Sequence, residues 1–170
     1  PVQDDRWFQY KVFLTATGSS SPIVDSITVT YVVNSAPEFD DSYGTNGVNI
    51  SSQASDGTFT IQYKIRDTDT LSSTNSDPGA GKVNPSFEYS TNGGGSWSSI
   101  TGGFTSASPT TSKAVEESNW TTYSATWDPN LQTNLDETYT TQTQIRATLN
   151  DGEAANATTA TTSAQFTLDT

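Results

Sequence analysis

Four acidic residues stand where they could act together: Asp67 and Asp69 at the end of one alternating apolar run, and Asp151 and Glu153 just after another. Hard cations such as calcium take several carboxylate and carbonyl oxygens that converge from separate loops. Asp67, Asp69, Asp151 and Glu153 are therefore a candidate calcium site, provided the two loops meet. The spacing is not that of an EF-hand, because the twelfth position from Asp67 is Pro78 rather than Glu and the sixth is not glycine. A plainer reading stands beside it: Asp is an ordinary strand-end residue and Asn150-Asp151-Gly152 an ordinary turn.

Other reactive patterns are weaker. The adjacent acids Asp40/Asp41 and Glu116/Glu117 could supply the two carboxylates of a glycosidase. Neighbours on a strand, however, point to opposite faces, and on loops they are usually only solvated. The chain has no cysteine and no histidine, which removes disulfides, thiolate metal sites, cysteine nucleophiles and histidine triads. The expectation is that this is not an enzyme. Asn49-Ile-Ser, Asn119-Trp-Thr and Asn156-Ala-Thr match the N-glycosylation pattern, although a chain this rich in Asn, Ser and Thr produces such triplets by chance. Tyr89 and Trp97 flank a glycine turn and could offer rings to a sugar or peptide; alternation favours them instead as core or cross-strand partners. Exposed Trp7 or Trp120 would serve a sugar better.

A net charge of −12 argues against nucleic acid, whose phosphates need Lys and Arg, and against anionic membrane surfaces. It suits solubility, cation binding or a glycan-rich exterior. The longest apolar runs, such as Tyr31-Val-Val33, cover only a few residues, so no membrane span is expected.

The elements that would position these residues read as strands. Only 31% of residues are hydrophobic while 11% are aromatic, which fits a thin two-layer core anchored by rings. No segment shows a sustained, capped helical repeat. Strands are expected over Thr58–Arg66, with Phe59, Ile61, Tyr63 and Ile65 inward, over a Ser86–Ile100 hairpin around Gly93-Gly-Gly95, and over Thr121–Trp127, Tyr139–Leu149 and Ala164–Leu168. The polar stretch from Thr101 to Ser118 has room for one weak strand. Asn34-Ser-Ala-Pro37 reads as a boundary, giving two parts, residues 1–34 and 35–170.

The first part reads as a β-hairpin of Arg6–Thr17 and Pro22–Val33, with Phe8, Tyr10, Val12 and Leu14 on one face of the first strand and Ile27, Val29, Tyr31 and Val33 on the second. A lone hairpin is marginal in water, so that face must be covered. Ile27-Thr-Val-Thr-Tyr-Val-Val33 is uncharged, β-branched and aromatic, an edge that invites pairing with another chain. Phe8, Tyr10, Val12, Ile27, Val29, Tyr31 and Val33 are thus the expected subunit contact. Either an upstream portion of the same polypeptide or a neighbouring subunit would complete it by strand addition. A head-to-tail contact that closes no ring propagates into a filament. A start at Pro1 without Met reads as a processed or excised piece.

Two resemblances add to this. Trp7-Phe-Gln-Tyr-Lys-Val12 and Pro22-Ile-Val-Asp-Ser-Ile-Thr-Val-Thr-Tyr31 resemble the closing strands of bacterial jelly-roll or lectin-like sandwiches. From residue 36 to 170 the chain resembles the fibronectin type III-like or immunoglobulin-like modules of bacterial and archaeal surface and secreted proteins. The residues that carry this likeness are Ala36-Pro-Glu-Phe39, Tyr63-Lys-Ile-Arg-Asp67, Tyr89-Ser-Thr-Asn-Gly-Gly-Gly-Ser-Trp97, Trp127, Ile145-Arg146, Asn150-Asp-Gly152 and Phe166-Thr-Leu-Asp169. The resemblance implies an all-β, immunoglobulin-like sandwich of roughly seven strands in which both acidic loops leave from one end. It also implies an extracellular or cell-surface location and a non-catalytic structural role, with copies of itself or neighbouring domains as partners. The alternative it allows is a calcium-dependent carbohydrate-binding or adhesion module of a secreted multidomain protein, with glycans as partners.

Overall fold

A computed structural model describes residues 10–19, 22–29, 35–69, 78–106, 109–153 and 157–170. The chain divides into two compact units, Pro1–Val33 and Asn34–Thr170. The second unit is a β-sandwich of two antiparallel sheets.

Its first sheet is organised around β3 (Phe59–Arg66), a strand whose sequence Phe-Thr-Ile-Gln-Tyr-Lys-Ile-Arg buries every other residue. One flank of β3 pairs along nearly its whole length with β7 (Thr121–Trp127), from Phe59 opposite Trp127 to Ile65 opposite Thr121. The other flank carries two short pieces, β1 (Glu38–Phe39) and β2 (Val48–Ile50). A tight loop separates them: the Tyr43 N–H donates to the Asp40 carbonyl and the Gly47 N–H to that of Tyr43. Gly47 has a φ of 91°, and a Cβ there would lie 2.5 Å from the Phe39 Cβ, so this position admits glycine alone.

The second sheet is centred on β4 (Lys82–Ser90) and β8 (Tyr139–Asn150), paired from Asn84 opposite Asn150 to Ser90 opposite Gln144. Pieces again line the flanks. β5 (Ser98–Ser99) and β6 (Lys113–Ala114) pair with β4, while β9 (Thr158–Thr162) and β10 (Phe166–Asp169) pair with β8. Pro85 falls between the stretches of β4 that meet β6 and β5, where a missing N–H is tolerated.

The inward residues of both sheets form one core, with Trp127, Tyr63, Phe59, Ile61, Ile65, Ile145, Leu149 and Leu168 almost fully buried. Rings join the sheets: Tyr63 meets Phe87 edge-on at 5.5 Å, Tyr89 stacks on Trp127 at 5.8 Å and Phe59 meets Phe166 at 4.9 Å. Such pairs contribute about 0.5–1.5 kcal/mol each beyond the area they bury. The all-β, two-sheet character read from the sequence is what the structure has.

Several details differ from the sequence reading. The strand β9 was not anticipated, because Thr-Thr-Ala-Thr-Thr has no apolar alternation and is held by its ladder to β8. The second arm of the glycine hairpin pairs over two residues only before Ile100 turns into the core. Trp97 is not a core partner of Tyr89. Tyr89 faces Ser98 across the ladder, so Trp97, one residue earlier, falls on the opposite face.

In the first unit no strand forms among the described residues 10–19 and 22–29, and the rest of the hairpin expected over residues 1–34 lies outside the described residues. Tyr10, Val12, Phe13, Leu14, Ile23, Val24, Ile27 and Val29 are all exposed, Phe13 to 78% and Ile23 to 87%. Of the expected contact residues, Phe8, Tyr31 and Val33 lie outside the described residues.

Candidate functional site

The acidic loops are delivered by the two central strands. β3 ends at Arg66 and hands the chain to Asp67; β8 ends at Asn150 and hands it to Asp151. Both aspartates are nearly inaccessible, at 3% and 4% exposure. Each starts a turn that its own carboxylate organises. Asp67 Oδ1 accepts the Asp69 N–H at 3.3 Å, and Asp151 Oδ1 accepts the Glu153 N–H at 2.8 Å. The Asp67 N–H donates to the Glu116 carbonyl and that of Asp151 to the Ala157 carbonyl, which ties both loops to neighbouring segments. Asp69 Oδ2 accepts the Ser35 N–H.

The electrostatics of this corner are one-sided. Burial, a hydrogen bond with the Asp69 carboxyl, and the charges of Asp69 and Asp151 push the Asp67 carboxyl up to about 7, against the opposing pull of the Asp69 N–H. One oxygen of Glu153, Oε1, is also buried without a hydrogen-bond partner.

The structure thus brings Asp67, Asp69 and Asp151 within electrostatic reach of one another. Among the described residues, no group of three or more acidic side chains has the geometry to hold a metal ion. Burial and the neighbouring acidic groups favour the protonated form of Asp67.

The remaining sequence candidates fall as follows. Asn49 on β2 and Asn119 before β7 are exposed, donating to Gln62 Oε1 at 3.3 Å and Glu116 Oε2 at 2.8 Å; Asn156 lies outside the described residues. Asp40 and Asp41 have unlike surroundings. Asp40 is buried against Lys64 at 2.7 Å and bonded to Ser42, which holds its carboxyl below the usual range, while Asp41 is exposed.

Two constellations escaped the sequence reading. Arg66 lies over the Trp120 ring at 4.4 Å and pairs with Glu38 at 2.7 Å; Arg146 lies over the Trp97 ring at 4.6 Å and pairs with Glu88 at 2.6 Å. Each is a Trp–Arg–Glu stack on the outer face of its sheet, where half-buried cation–π contacts contribute about 0.5–1 kcal/mol. The Glu88–Arg146 pair was foreseeable, because the two lie directly opposite in the β4–β8 register. The tryptophans were not, since their face depends on a one-residue register.

No family model, no curated protein and no solved structure matches this chain.

Proposed function

We propose that the chain is a non-catalytic structural module of an extracellular or cell-surface assembly, joined to its neighbours through the first unit. One observation carries this reading: among the described residues, eight large apolar side chains between Tyr10 and Val29 are exposed, whereas the described sandwich presents only Leu131 and Tyr139 in that way. Apolar surface of this extent marks an interaction site. Its natural partners are copies of the chain or neighbouring domains of a larger surface protein, and a head-to-tail contact would build a filament or lattice.

The immunoglobulin-like or fibronectin type III-like reading of the sandwich is supported by its pairing. A β3–β7 sheet with a split outer strand faces a β4–β8 sheet with strands on both flanks. Glycans on Asn49 and Asn119 would suit the same exterior. The test is deletion of residues 1–34, followed by sedimentation against the parent chain. The truncated protein is expected to lose self-association; if it assembles as the parent does, the first unit is not the connector.

A second reading, a calcium-dependent carbohydrate-binding or adhesion module, draws support from the uncompensated charge around Asp67. A cation that binds only the folded state raises its melting temperature. Glycan binding abolished by a chelator would favour this reading, and a melting temperature indifferent to both calcium and chelator would remove it.

A further inference from the structure

The described residues of the first unit carry two charges of opposite sign, Lys11 and Asp25, both exposed, with the Lys11 Nζ 4.6 Å from the centre of the Phe13 ring. In charge this unit differs sharply from the sandwich. Residues 1–34 hold three acids against two bases, whereas residues 35–170 hold sixteen against five. Sandwich surfaces therefore repel one another, and a second copy meets the least repulsion through its own first unit. One antiparallel register makes the segment complementary to itself. Setting Lys11 opposite Asp25 also sets Val12 opposite Val24 and Phe13 opposite Ile23. Phe13 and Ile23 are the two most exposed large apolar side chains among the described residues.

We infer that two copies of the chain exchange these segments in this register, residues 10–14 of each pairing with residues 22–26 of the other. This rests on the first unit being the connector, and it names what the connector meets: the same unit of a second copy. Exchange satisfies both halves of the register together. Lys11 meets Asp25 of the partner subunit, and Asp25 meets the partner subunit's Lys11. Opposite charges and apolar side chains set directly across a ladder stabilise it, and like charges there destabilise it. Within one chain the same register would make a single two-stranded ribbon, which is marginal in water, and no strand forms among the described residues of this unit. Two copies make two ribbons, whose apolar sides have each other to cover them. The contact is isologous, so it closes on two copies rather than continuing head to tail.

Sedimentation of the full chain tests the register, with Lys11→Glu and Asp25→Lys run singly and as an equimolar mixture. Physiological ionic strength suits it, since charges farther apart than about 8 Å are then screened while a cross-strand pair is not. Each variant alone sets like charges opposite each other twice, so its pairing should weaken at least several-fold. In the mixture every such contact again joins opposite charges, and association should return to the parental level as one-to-one mixed pairs. Neither a ribbon within one chain nor a contact between the first unit and a sandwich would be rescued by mixing. Either variant pairing as strongly as the parent, or a mixture as weak as its components, would overturn the inference. The absence of cysteine gives a second readout through Val12→Cys and Val24→Cys. With a mild oxidant, a mixture of these two should cross-link unlike variants in preference to like ones; no preference, or the reverse, would overturn the register. Deletion of residues 1–34 separates the two ideas. If it abolishes assembly while the charge variants pair like the parent, the register is wrong and the connector stands. If assembly survives the deletion, or the parent chain stays monomeric, both fall.

Discussion

At the scale of single residues, the sign of the Asp67 effect is fixed by linkage. The folded chain holds its proton up to about 7, whereas an unfolded chain releases it near 3.8. Between those values the folded state binds more protons, so stability from this group is present at low pH and is lost as pH rises through about 7. Most proteins with ion-paired carboxylates behave the opposite way. Asp67→Asn should raise the melting temperature at about pH 8, by on the order of a few degrees, and flatten the acid-to-neutral decline. Thermal melts across that range check it; an unchanged profile would count against a protonated Asp67. A second residue tells a similar story. The Tyr63 hydroxyl is buried in the core without a hydrogen-bond partner, and burial raises its pKa. Tyr63→Phe keeps the ring contacts with Phe87 and Tyr123 and removes a desolvated hydroxyl. It should leave stability unchanged or raise it by up to about 1 kcal/mol, read as a higher urea midpoint.

At the scale of elements, what could be read from the sequence was whatever leaves a period-two trace. β3, β7 and β8 alternate apolar and polar residues because each has one face in the core, and they were legible. β9 was not, since a threonine-rich flank strand is defined by its hydrogen bonds rather than by burial. The approach of Asp67 to Asp151 could be anticipated from strand-end position and the expected topology. Their burial could not, because it arises from the closeness of two segments more than eighty residues apart in sequence. The loop between β1 and β2 yields a sharper test. Gly47→Ala would force a side chain against Phe39 at a positive φ, with an expected loss of about 1–3 kcal/mol in denaturant unfolding. A cost near zero would mean the loop can shift away from Phe39.

At the scale of the whole molecule, net charge dominates. Nineteen acids against seven bases leave a strong net repulsion, which pairs such as Lys64–Asp40, Arg66–Glu38 and Arg146–Glu88 offset only locally. Exposed charges are screened over about 8 Å at physiological ionic strength. Raising salt from low to physiological levels should therefore stabilise the fold, the reverse of a protein held by surface salt bridges. A melting temperature that falls with added salt would contradict this.

The broken flanks of the sandwich have a consequence for how this protein can go wrong. Each outer edge is cut into short lengths: two and three residues in β1 and β2, two and two in β5 and β6, five and four in β9 and β10. The far side of β7 is partly capped, where Phe104 pairs with Trp127 and Thr105 bonds to Thr126. A recruiting strand needs a long, straight row of free amides and carbonyls, and interruptions of this kind deny it one. The sandwich is thus a poor seed for amyloid growth. Residues 35–170 incubated alone should give little thioflavin signal under conditions in which peptides covering residues 22–33 form fibres. Fibre growth from the sandwich as fast as from the peptide would show that the interruptions offer no protection.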